Sequence, residues 1–301
     1  VVFYMITSAA AVAVGLIFGN IFHPGRGLEL AGAADYAGKA LQQPSLSETF
    51  LSIVPTNVFE ALATGGVLPA IFFSILFGIA LSYLRVSDDA RIREAGDTIY
   101  RFFDGVNEIM FLIVRWILEY APIGVFALIA VVFAKQNPTV LASLAMVVVA
   151  VYIGLIVHVV LIYGGFLFGS GLSFARFLKL AREAMVTAFV TRSSGGTLPI
   201  SLRCADEMGV DQSVSAFTLP LGATVNMDGT AIMQGVATVF IAQLSGVDLT
   251  IMKMVTVVII AVVASIGTAG VPGVGLVMLA MVLTAVGLDP AAIGIIIGID
   301  R

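Results

Sequence analysis

The chain has 301 residues, of which 59% are hydrophobic and only 11% are charged, and its formal net charge is −4 at pH 7. An ordinary soluble domain is about one quarter charged, so this composition excludes a soluble globular fold. The negative net charge gives no sign of the basic surface that binds nucleic acid. The single cysteine, Cys204, excludes both a disulfide framework and a cysteine metal cluster.

Several uncharged runs are long enough to cross a bilayer, which takes about 20 consecutive apolar residues in a helix. These runs are residues 1–25, 61–84, 138–170 and 254–288. They are too long, and they alternate too weakly, to be the strands of a membrane barrel, which have about 10 residues. The sequence therefore predicts an all-α, polytopic membrane protein embedded in a lipid bilayer.

In the first half of the chain, residues 1–22 are predicted to form one spanning helix. The polar residues 23–43 are predicted to form an exposed loop. Pro55 and Pro69 interrupt residues 46–83, and this predicts broken or kinked helices there.

Residues 86–103 mix arginines with acidic residues and are predicted to form a water-exposed connection and the start of a helix. A long amphipathic helix is expected over residues 105–134, with a break at the motif "YAPIG", before a further span over residues 138–168. Basic residues cluster at positions 85–101 and 176–182, which predicts that these two segments face the cytoplasm.

The second half does not divide into simple spans. Residues 174–192 precede the small-residue motif "SSGGTLP" and a short helix beginning near Thr197, and residues 251–266 precede "GTAGVPG" and another apolar helix. Between them, residues 213–225 are too short to cross and are followed by "NMDG" and residues 230–245. Backbone that opens at membrane depth is tolerated only where protein or a water-filled cavity surrounds it. Half-crossing helices of this kind are typical of the inverted repeats of secondary transporters, whose sites lie where interrupted helices meet.

Asp228, in the motif "NMDG", is the only Asp, Glu, Lys or Arg between residues 212 and 247. A charged Asp at the centre of a membrane costs about 2.5–3.5 kcal/mol, so it needs a partner, and a cation from solution is a natural candidate. Sodium is a hard ion that prefers oxygen ligands. The alternatives are a pair with a distant arginine such as Arg192, or a carboxyl group kept neutral by desolvation.

Oxygen atoms for such a cation are available in two parts of the sequence, the interrupted turn and the early part of the first helix. The expected donors are the side chains of Thr7, Ser8, Asn226 and Asp228 and the carbonyls, freed by the unwound turn, of Gly222, Thr224 and Asn226.

The two small-residue tips offer a different chemistry, the binding of an anion. Ser193 and Ser194 stand at the start of the short helix, and residues 270–275 stand at the start of the other half-helix. Free N–H groups and the positive end of a helix dipole bind carboxylates, so two such tips could hold an anionic group from both sides. The alternative for each tip is a tight loop between packed helices.

His158 is interpreted as a packed or interfacial histidine rather than a proton relay. The sequence shows no pair of a nucleophile and a base that would indicate an enzyme.

Three long motifs carry a family resemblance. "TRSSGGTLP", "GATVNMDGTAIMQGV" and "SIGTAGVPGVG" closely resemble the signatures of the sodium-coupled glutamate/aspartate transporter family, the dicarboxylate/amino acid:cation symporters, in its prokaryotic type. The resemblance covers nearly the whole chain, from "YMITS" to "GIDR". Relative to the family the sequence is expected to be truncated at both ends.

The resemblance implies a glutamate-transporter-type elevator fold in a homotrimer of the inner (plasma) membrane, each protomer crossing it several times. Residues 1–25 would be the first helix of a moving transport domain, residues 26–136 a scaffold for trimerisation, and residues 137–301 the core of the transport domain. Within that core the family pattern has two re-entrant hairpins, a broken helix and the start of a final helix. The hairpins would be residues 173–208 and 250–287, and the broken helix would be residues 213–246.

The resemblance also implies site residues, with sodium ions as the coupling cations. Substrate contacts would come from Ser193, Ser194, Thr230, Val271 and Gly275. The three sodium sites would be formed by Gly222 with Asn226, by Thr224 with Ser265, Ile266 and Thr268, and by Tyr4, Thr7, Ser8, Asn226 and Asp228.

The expected activity is sodium-coupled symport of an acidic amino acid, L-aspartate or L-glutamate, by alternating access. A neutral amino acid or a C4-dicarboxylate as substrate, and a substrate-gated anion channel, are the alternatives. The sequence departs from many members of the family at Gly195, where a third serine is common, and this removes one hydroxyl from the first tip.

Overall fold

The computed structural model describes residues 2–26, 51, 54–64, 67–135, 138–266, 274–297 and 299. Regular structure in these residues is helical, as the sequence predicts, and the described residues contain no β-strand. The second tip, "GTAGVPG", and most of the predicted loop at 23–43 lie outside the described residues.

The helices follow the predicted order along the chain. They are α1 (Val2–Phe22), α2 (Val58–Thr64), α3 (Val67–Arg85), α4 (Ala90–Lys135), α5 (Pro138–Val157), a π-helix (His158–Tyr163), α6 (Gly164–Gly169), α7 (Phe174–Thr191), α8 (Ser194–Glu207), α9 (Gln212–Val225), α10 (Asp228–Leu244), α11 (Ile251–Ile266), α12 (Val274–Ala285), a 3₁₀ turn (Pro290–Ala292) and α13 (Ile293–Ile296).

Contacts divide the chain into two compact units. The first unit combines Val1–Ser45 with Phe133–Arg301, and the second is Leu46–Val132. In the second unit, Arg85 at the end of α3 forms an ion pair with Asp97 of α4 at 2.8 Å and lies over the ring of Tyr100. The first unit contains the residues singled out by the sequence analysis.

The core of the first unit is built on the contact between α1 and α10. A Cβ atom added to Gly15 would lie only 2.3 Å from the carbonyl oxygen of Ile232, and one added to Gly235 would lie 2.7 Å from the carbonyl oxygen of Val12. The two backbones therefore touch, as membrane helices do where small residues face each other. This contact sets α1 alongside α10.

Two helices among the described residues are long and apolar enough to span a membrane. They are α1 and the continuous stretch Leu141–Gly169, which runs from α5 through the π-helix into α6. Both were predicted as spans. The π-helix inside the second stretch was not predicted, because hydrophobic periodicity does not reveal one additional residue in a turn.

The predicted interruption at "NMDG" is confirmed. Asn226, with φ −116° and ψ 78°, and Met227, with φ −102° and ψ 58°, leave the helical conformation between α9 and α10. Met227 is buried against Ala264 of α11 and Met278 of α12. An apolar anchor therefore holds the open turn in place.

Two predicted boundaries are wrong. The helix α4 runs without a break through "YAPIG" over 46 residues. A proline inside a helix removes one main-chain hydrogen bond and crowds the preceding turn, and helices of membrane proteins tolerate this where neighbouring groups satisfy the freed backbone. The helix α8 begins at Ser194 rather than near Thr197. The hydroxyl oxygen of Ser193 accepts the Gly196 N–H at 3.0 Å and so caps the helix three residues earlier than predicted.

The close α1–α10 contact predicts that Gly15→Ala is strongly destabilising. The added methyl group meets backbone, which cannot rotate away, so we expect the free energy of unfolding to fall by about 2–3 kcal/mol or more. Thermal or chemical denaturation of the purified protein in detergent, at a fixed sodium concentration, measures the change.

Gly165→Ala in α6 is the matched control, because a Cβ atom there has no neighbouring heavy atom within 4 Å. It should leave stability unchanged or raise it slightly. Equal losses in the two variants would contradict the backbone contact.

Candidate functional site

Asp228 is the first residue of α10 and is only 5% exposed. The first turn of a helix presents N–H groups without intrahelical partners and the positive end of the helix dipole. A carboxylate is therefore favoured at this position even without a neighbouring cation. The interruption at Asn226 and Met227 creates the helix start that Asp228 occupies.

Hydroxyl groups from α1 meet the carboxylate on one side. The Ser8 hydroxyl donates to Asp228 Oδ1 at 2.8 Å, and both Thr7 and Ser8 are fully buried. Thr7 also donates to the carbonyl oxygen of Tyr4 at 3.0 Å. These residues are the partners of Asp228 that the sequence predicts, and the structure brings Ser8 and Asp228 together across 220 positions of sequence.

The side-chain amide of Asn226 completes this side of the cluster. One end of the amide lies 2.8 Å from Thr7 Oγ1, 3.2 Å from Ser8 Oγ, 3.0 Å from Asp228 Oδ1 and 3.2 Å from the Tyr4 carbonyl oxygen. Because a carboxylate oxygen and a carbonyl oxygen can only accept, we assign the amide nitrogen to this position. The Asn226 amide then donates directly to Asp228.

The other carboxylate oxygen meets two residues that the sequence analysis did not connect to it. The Tyr163 hydroxyl donates to Asp228 Oδ2 at 2.6 Å, and His158 Nε2 lies 3.1 Å from the same oxygen. The interpretation of His158 as merely packed or interfacial is therefore incomplete. His158, rather than Arg192, is the basic side chain that the structure places within hydrogen-bonding distance of Asp228. Arg192 is exposed at the end of α7 in a left-handed conformation, with φ 53°.

The sequence contained only a weak signal for this pair. His158 is the single histidine in a long uncharged run, and Tyr163 follows five residues later. In a regular α-helix, residues five apart lie about 140° apart around the axis, so the spacing argued against a common face. The π-helix removes that objection.

Tyr4 contributes its backbone rather than its phenol to the cluster. The Tyr4 hydroxyl donates to the carbonyl of Thr218 at 2.9 Å and lies against Gly222, where an added Cβ atom would be 3.2 Å from the hydroxyl oxygen. The expectation that the turn frees the Gly222 carbonyl is wrong. That carbonyl accepts the Asn226 N–H at 2.9 Å, because α9 keeps its last main-chain hydrogen bond.

Ser265 lies beside the interrupted turn from a different helix. It is buried near the end of α11, and its hydroxyl is 2.7 Å from the carbonyl oxygen of Val262 and 3.3 Å from that of Val225. The exposed Thr224 hydroxyl donates to the Leu221 carbonyl of its own helix at 3.0 Å. Ile266 is the last residue of α11, and Thr268 lies outside the described residues.

The first tip lies between α7 and α8, which pack against each other. Ser193 caps α8, Ser194 is the exposed first residue of that helix, and the hydroxyls of Thr191 and Thr197 are 3.2 Å apart across the tip. Of the other predicted substrate residues, Thr230 lies half-buried in the first turn of α10 and Gly275 half-buried at the start of α12, while Val271 lies outside the described residues.

The cluster around Asp228 has the chemistry of a site for a hard monovalent cation. The hydroxyl oxygens of Thr7 and Ser8 and the carbonyl oxygen of Tyr4 lie with the Asn226 amide around a single carboxylate, and hard cations prefer such oxygens. In the described part of the chain no group of three or more His, Cys, Asp or Glu could hold a metal ion. The cluster therefore does not resemble the nitrogen- and sulfur-rich sites of transition metals.

Over residues 1–301 the chain matches the sodium:dicarboxylate symporter family. It is 35% identical over 308 residues to a proton/sodium-glutamate symport protein of Bacillus caldotenax, and the alignment covers 100% of this chain and 71% of that protein. It is 34% identical to a proton/glutamate-aspartate symporter of Escherichia coli, with 100% of this chain and 69% of that protein covered. It is 32% identical to a C4-dicarboxylate transport protein of Edwardsiella ictaluri, with 99% and 70% covered.

The helical fold and these likenesses define the class of protein, an integral membrane transporter rather than an enzyme. The chain belongs to the sodium:dicarboxylate symporter family, and this confirms the resemblance drawn from the three sequence motifs.

The cluster predicts that Ser8→Ala destabilises the protein even without sodium. The change removes a donor from a buried carboxylate, and hydrogen bonds to charged groups contribute about 1.5–3 kcal/mol. Denaturation in a sodium-free choline buffer measures this loss separately from any cation effect.

The matched control is Thr284→Ala, whose exposed hydroxyl donates only to a carbonyl of its own helix. We expect its free energy of unfolding to stay within about 0.5 kcal/mol of wild type. A loss no larger in Ser8→Ala than in Thr284→Ala would show that Ser8 does not stabilise Asp228.

Proposed function

We propose that this protein is a secondary active transporter that couples sodium entry to uptake of an acidic amino acid, L-aspartate or L-glutamate, across the inner (plasma) membrane. The observation that carries the proposal is the buried Asp228 carboxylate at a helix interruption, with the oxygen-bearing groups of Thr7, Ser8 and Asn226 around Oδ1. The family match and the names of the relatives support the coupling and the substrate class.

Rotation of the Asn226 side-chain amide would let the same cluster exist both without sodium and with a bound sodium ion. With the nitrogen toward Asp228, the amide donates to Oδ1 at 3.0 Å and to the Tyr4 carbonyl at 3.2 Å. A half turn of the amide exchanges nitrogen and oxygen without moving any other group. The same position then offers an oxygen, so that sodium would face Asn226, Asp228, the Tyr4 carbonyl and the α1 hydroxyls.

Two further sodium sites follow from the family resemblance. One would use Thr224 with Ser265, Ile266 and Thr268, and the position of the Ser265 hydroxyl beside the Val225 carbonyl supports it. The other would use Gly222 with Asn226. The structure gives that site less support, because the Gly222 carbonyl already accepts a main-chain hydrogen bond.

Substrate would bind between the two tips, through Ser193, Ser194, Thr230, Val271 and Gly275. The start of α8 presents main-chain N–H groups and the positive end of a helix dipole, which favour a carboxylate. The relatives are named for glutamate, glutamate-aspartate and C4-dicarboxylates, and all of these substrates carry carboxylates. The Edwardsiella relative makes a C4-dicarboxylate the second candidate substrate.

For the transport cycle we propose an elevator mechanism in a homotrimer. The helix pairs α7–α8 and α11–α12 would be the two re-entrant hairpins, and residues 26–136 the scaffold. The division of contacts into one unit of residues 46–132 and one that joins the two ends of the chain supports such a separation. Residues 1–25 and 137–301 would then move together, because α1 is packed on α10 through backbone contact.

Uptake of labelled L-aspartate into liposomes containing the intact gene product tests the function. We expect uptake with an inward sodium gradient, none without it, and inhibition by excess L-glutamate but not by serine or succinate. Inhibition by succinate would assign the protein to dicarboxylates instead. Uptake that does not depend on sodium would contradict the coupling.

The cation site predicts that Asp228→Asn raises the sodium concentration for half-maximal uptake by at least about tenfold, equivalent to about 1.4 kcal/mol of binding free energy. The change preserves the shape of the side chain and removes its charge. Asp248→Asn is the control, because Asp248 is exposed beyond the other end of α10. An unchanged sodium dependence in Asp228→Asn would exclude the cluster as a sodium site.

A further inference from the structure

We propose that His158 and Tyr163 are positioning residues that fix the Asp228 carboxylate so that only Oδ1 is available to the cation. The inference rests on the proposed sodium site and adds two residues from a helix that none of the predicted sites used. Both residues belong to the π-helix that follows α5.

Asp228 Oδ2 is the carboxylate oxygen on the side of the π-helix. A carboxylate oxygen accepts about two hydrogen bonds in its plane. Tyr163 donates its O–H to Oδ2 at 2.6 Å. Because the carboxylate can only accept, His158 donates its Nε2–H to the same oxygen at 3.1 Å. These two donors saturate Oδ2.

Asp228 Oδ1 is the carboxylate oxygen on the side of α1. It accepts the Ser8 hydroxyl at 2.8 Å and has the Asn226 amide 3.0 Å away. The amide position is therefore the one at which an acceptor can replace a donor when a cation arrives. The arrangement assigns the cation to Oδ1 and predicts that Asp228 binds it through one oxygen.

The π-helix is what makes this clamp possible. Gly154 and Leu155 of α5 lie against Ile232 and Gly229 of α10, so the face of α5 that meets α10 continues one turn later to His158. With α-helical spacing, the next residue on that face would be Ile162. The extra residue of the π-turn brings Tyr163 there instead, and π-turns are frequent at functional sites.

The two rings also hold each other. The centroids of His158 and Tyr163 are 5.0 Å apart in an edge-to-face arrangement, which favours one orientation of each ring. His158 is 2% exposed, and its Nδ1 atom has no hydrogen-bond partner among the described residues. A buried polar atom without a partner is unfavourable for folding, so packing alone does not account for a histidine here. Donation to Asp228 does.

The test compares single variants in the intact protein. Tyr163→Phe removes one oxygen atom and His158→Leu removes the imidazole donor, while His158→Gln keeps an N–H donor of similar reach. Tyr152→Phe on the same helix is the control, because Tyr152 is 52% exposed. Two quantities are measured, the sodium concentration for half-maximal L-aspartate uptake and the L-aspartate affinity at saturating sodium.

We expect Tyr163→Phe and His158→Leu to raise the half-maximal sodium concentration about five- to tenfold, with the L-aspartate affinity at saturating sodium unchanged. His158→Gln should recover most of the loss, and Tyr152→Phe should behave as wild type. The rescue separates donation to the carboxylate from simple packing.

The outcomes distinguish the two proposals. If wild type shows sodium-driven uptake that Asp228→Asn impairs, but Tyr163→Phe and His158→Leu match Tyr152→Phe, the positioning role is wrong and the sodium site stands. Reduced stability in these variants without a shift in the sodium dependence would also overturn the positioning role. Absence of any sodium dependence in wild type would overturn the proposed function itself.

Discussion

The structure depends on how one buried carboxylate is satisfied. Asp228 begins a helix in the interior of the first unit, and its two oxygens receive groups from three different parts of the chain: the first helix, the interrupted turn and the π-helix. A carboxylate at that depth is unfavourable unless each oxygen has partners. The helices that supply those partners are therefore held to one arrangement. A displacement of any one of these helices would leave an Asp228 oxygen without one of its hydrogen-bond partners. The packing of the unit and the hydrogen bonding of Asp228 are therefore linked.

The glycines of the α1–α10 contact keep α1 close to α10. Gly15 and Gly235 let the two backbones touch, and this close approach brings the short side chains of Thr7 and Ser8 within reach of Asp228. A more distant helix would need longer side chains to reach Asp228, and ordering longer side chains costs more conformational entropy. Met227, buried against α11 and α12, holds the opened turn through apolar contacts. An apolar anchor and a polar cluster thus meet within three residues, Asn226 to Asp228.

Much of the site was predictable because its residues stand out against an apolar background. A lone Asp in an uncharged run, next to Asn226 and poor helix formers, indicates both the interruption and the need for a partner. Thr7 and Ser8 were identifiable as a hydroxyl pair early in a long apolar helix. His158 and Tyr163 were not connected to Asp228, because five-residue spacing places them on different faces of a regular helix. The break expected at "YAPIG" is wrong because the hydrogen bonds around a proline decide whether a helix ends there. Composition does not report those hydrogen bonds.

The sequence by itself determined that the protein is helical and membrane-embedded, where most of its helices begin and end, where one helix is interrupted, and which family it belongs to. These properties follow from local composition and spacing, which act within a few turns of helix. Only the tertiary structure decided which groups meet Asp228, since Ser8 lies 220 residues away and His158 lies 70 residues away along the chain. It also decided that Tyr4 contributes a carbonyl rather than a phenol. Such choices depend on the distance and rotation between packed helices, and these are set by side chains that are remote in sequence.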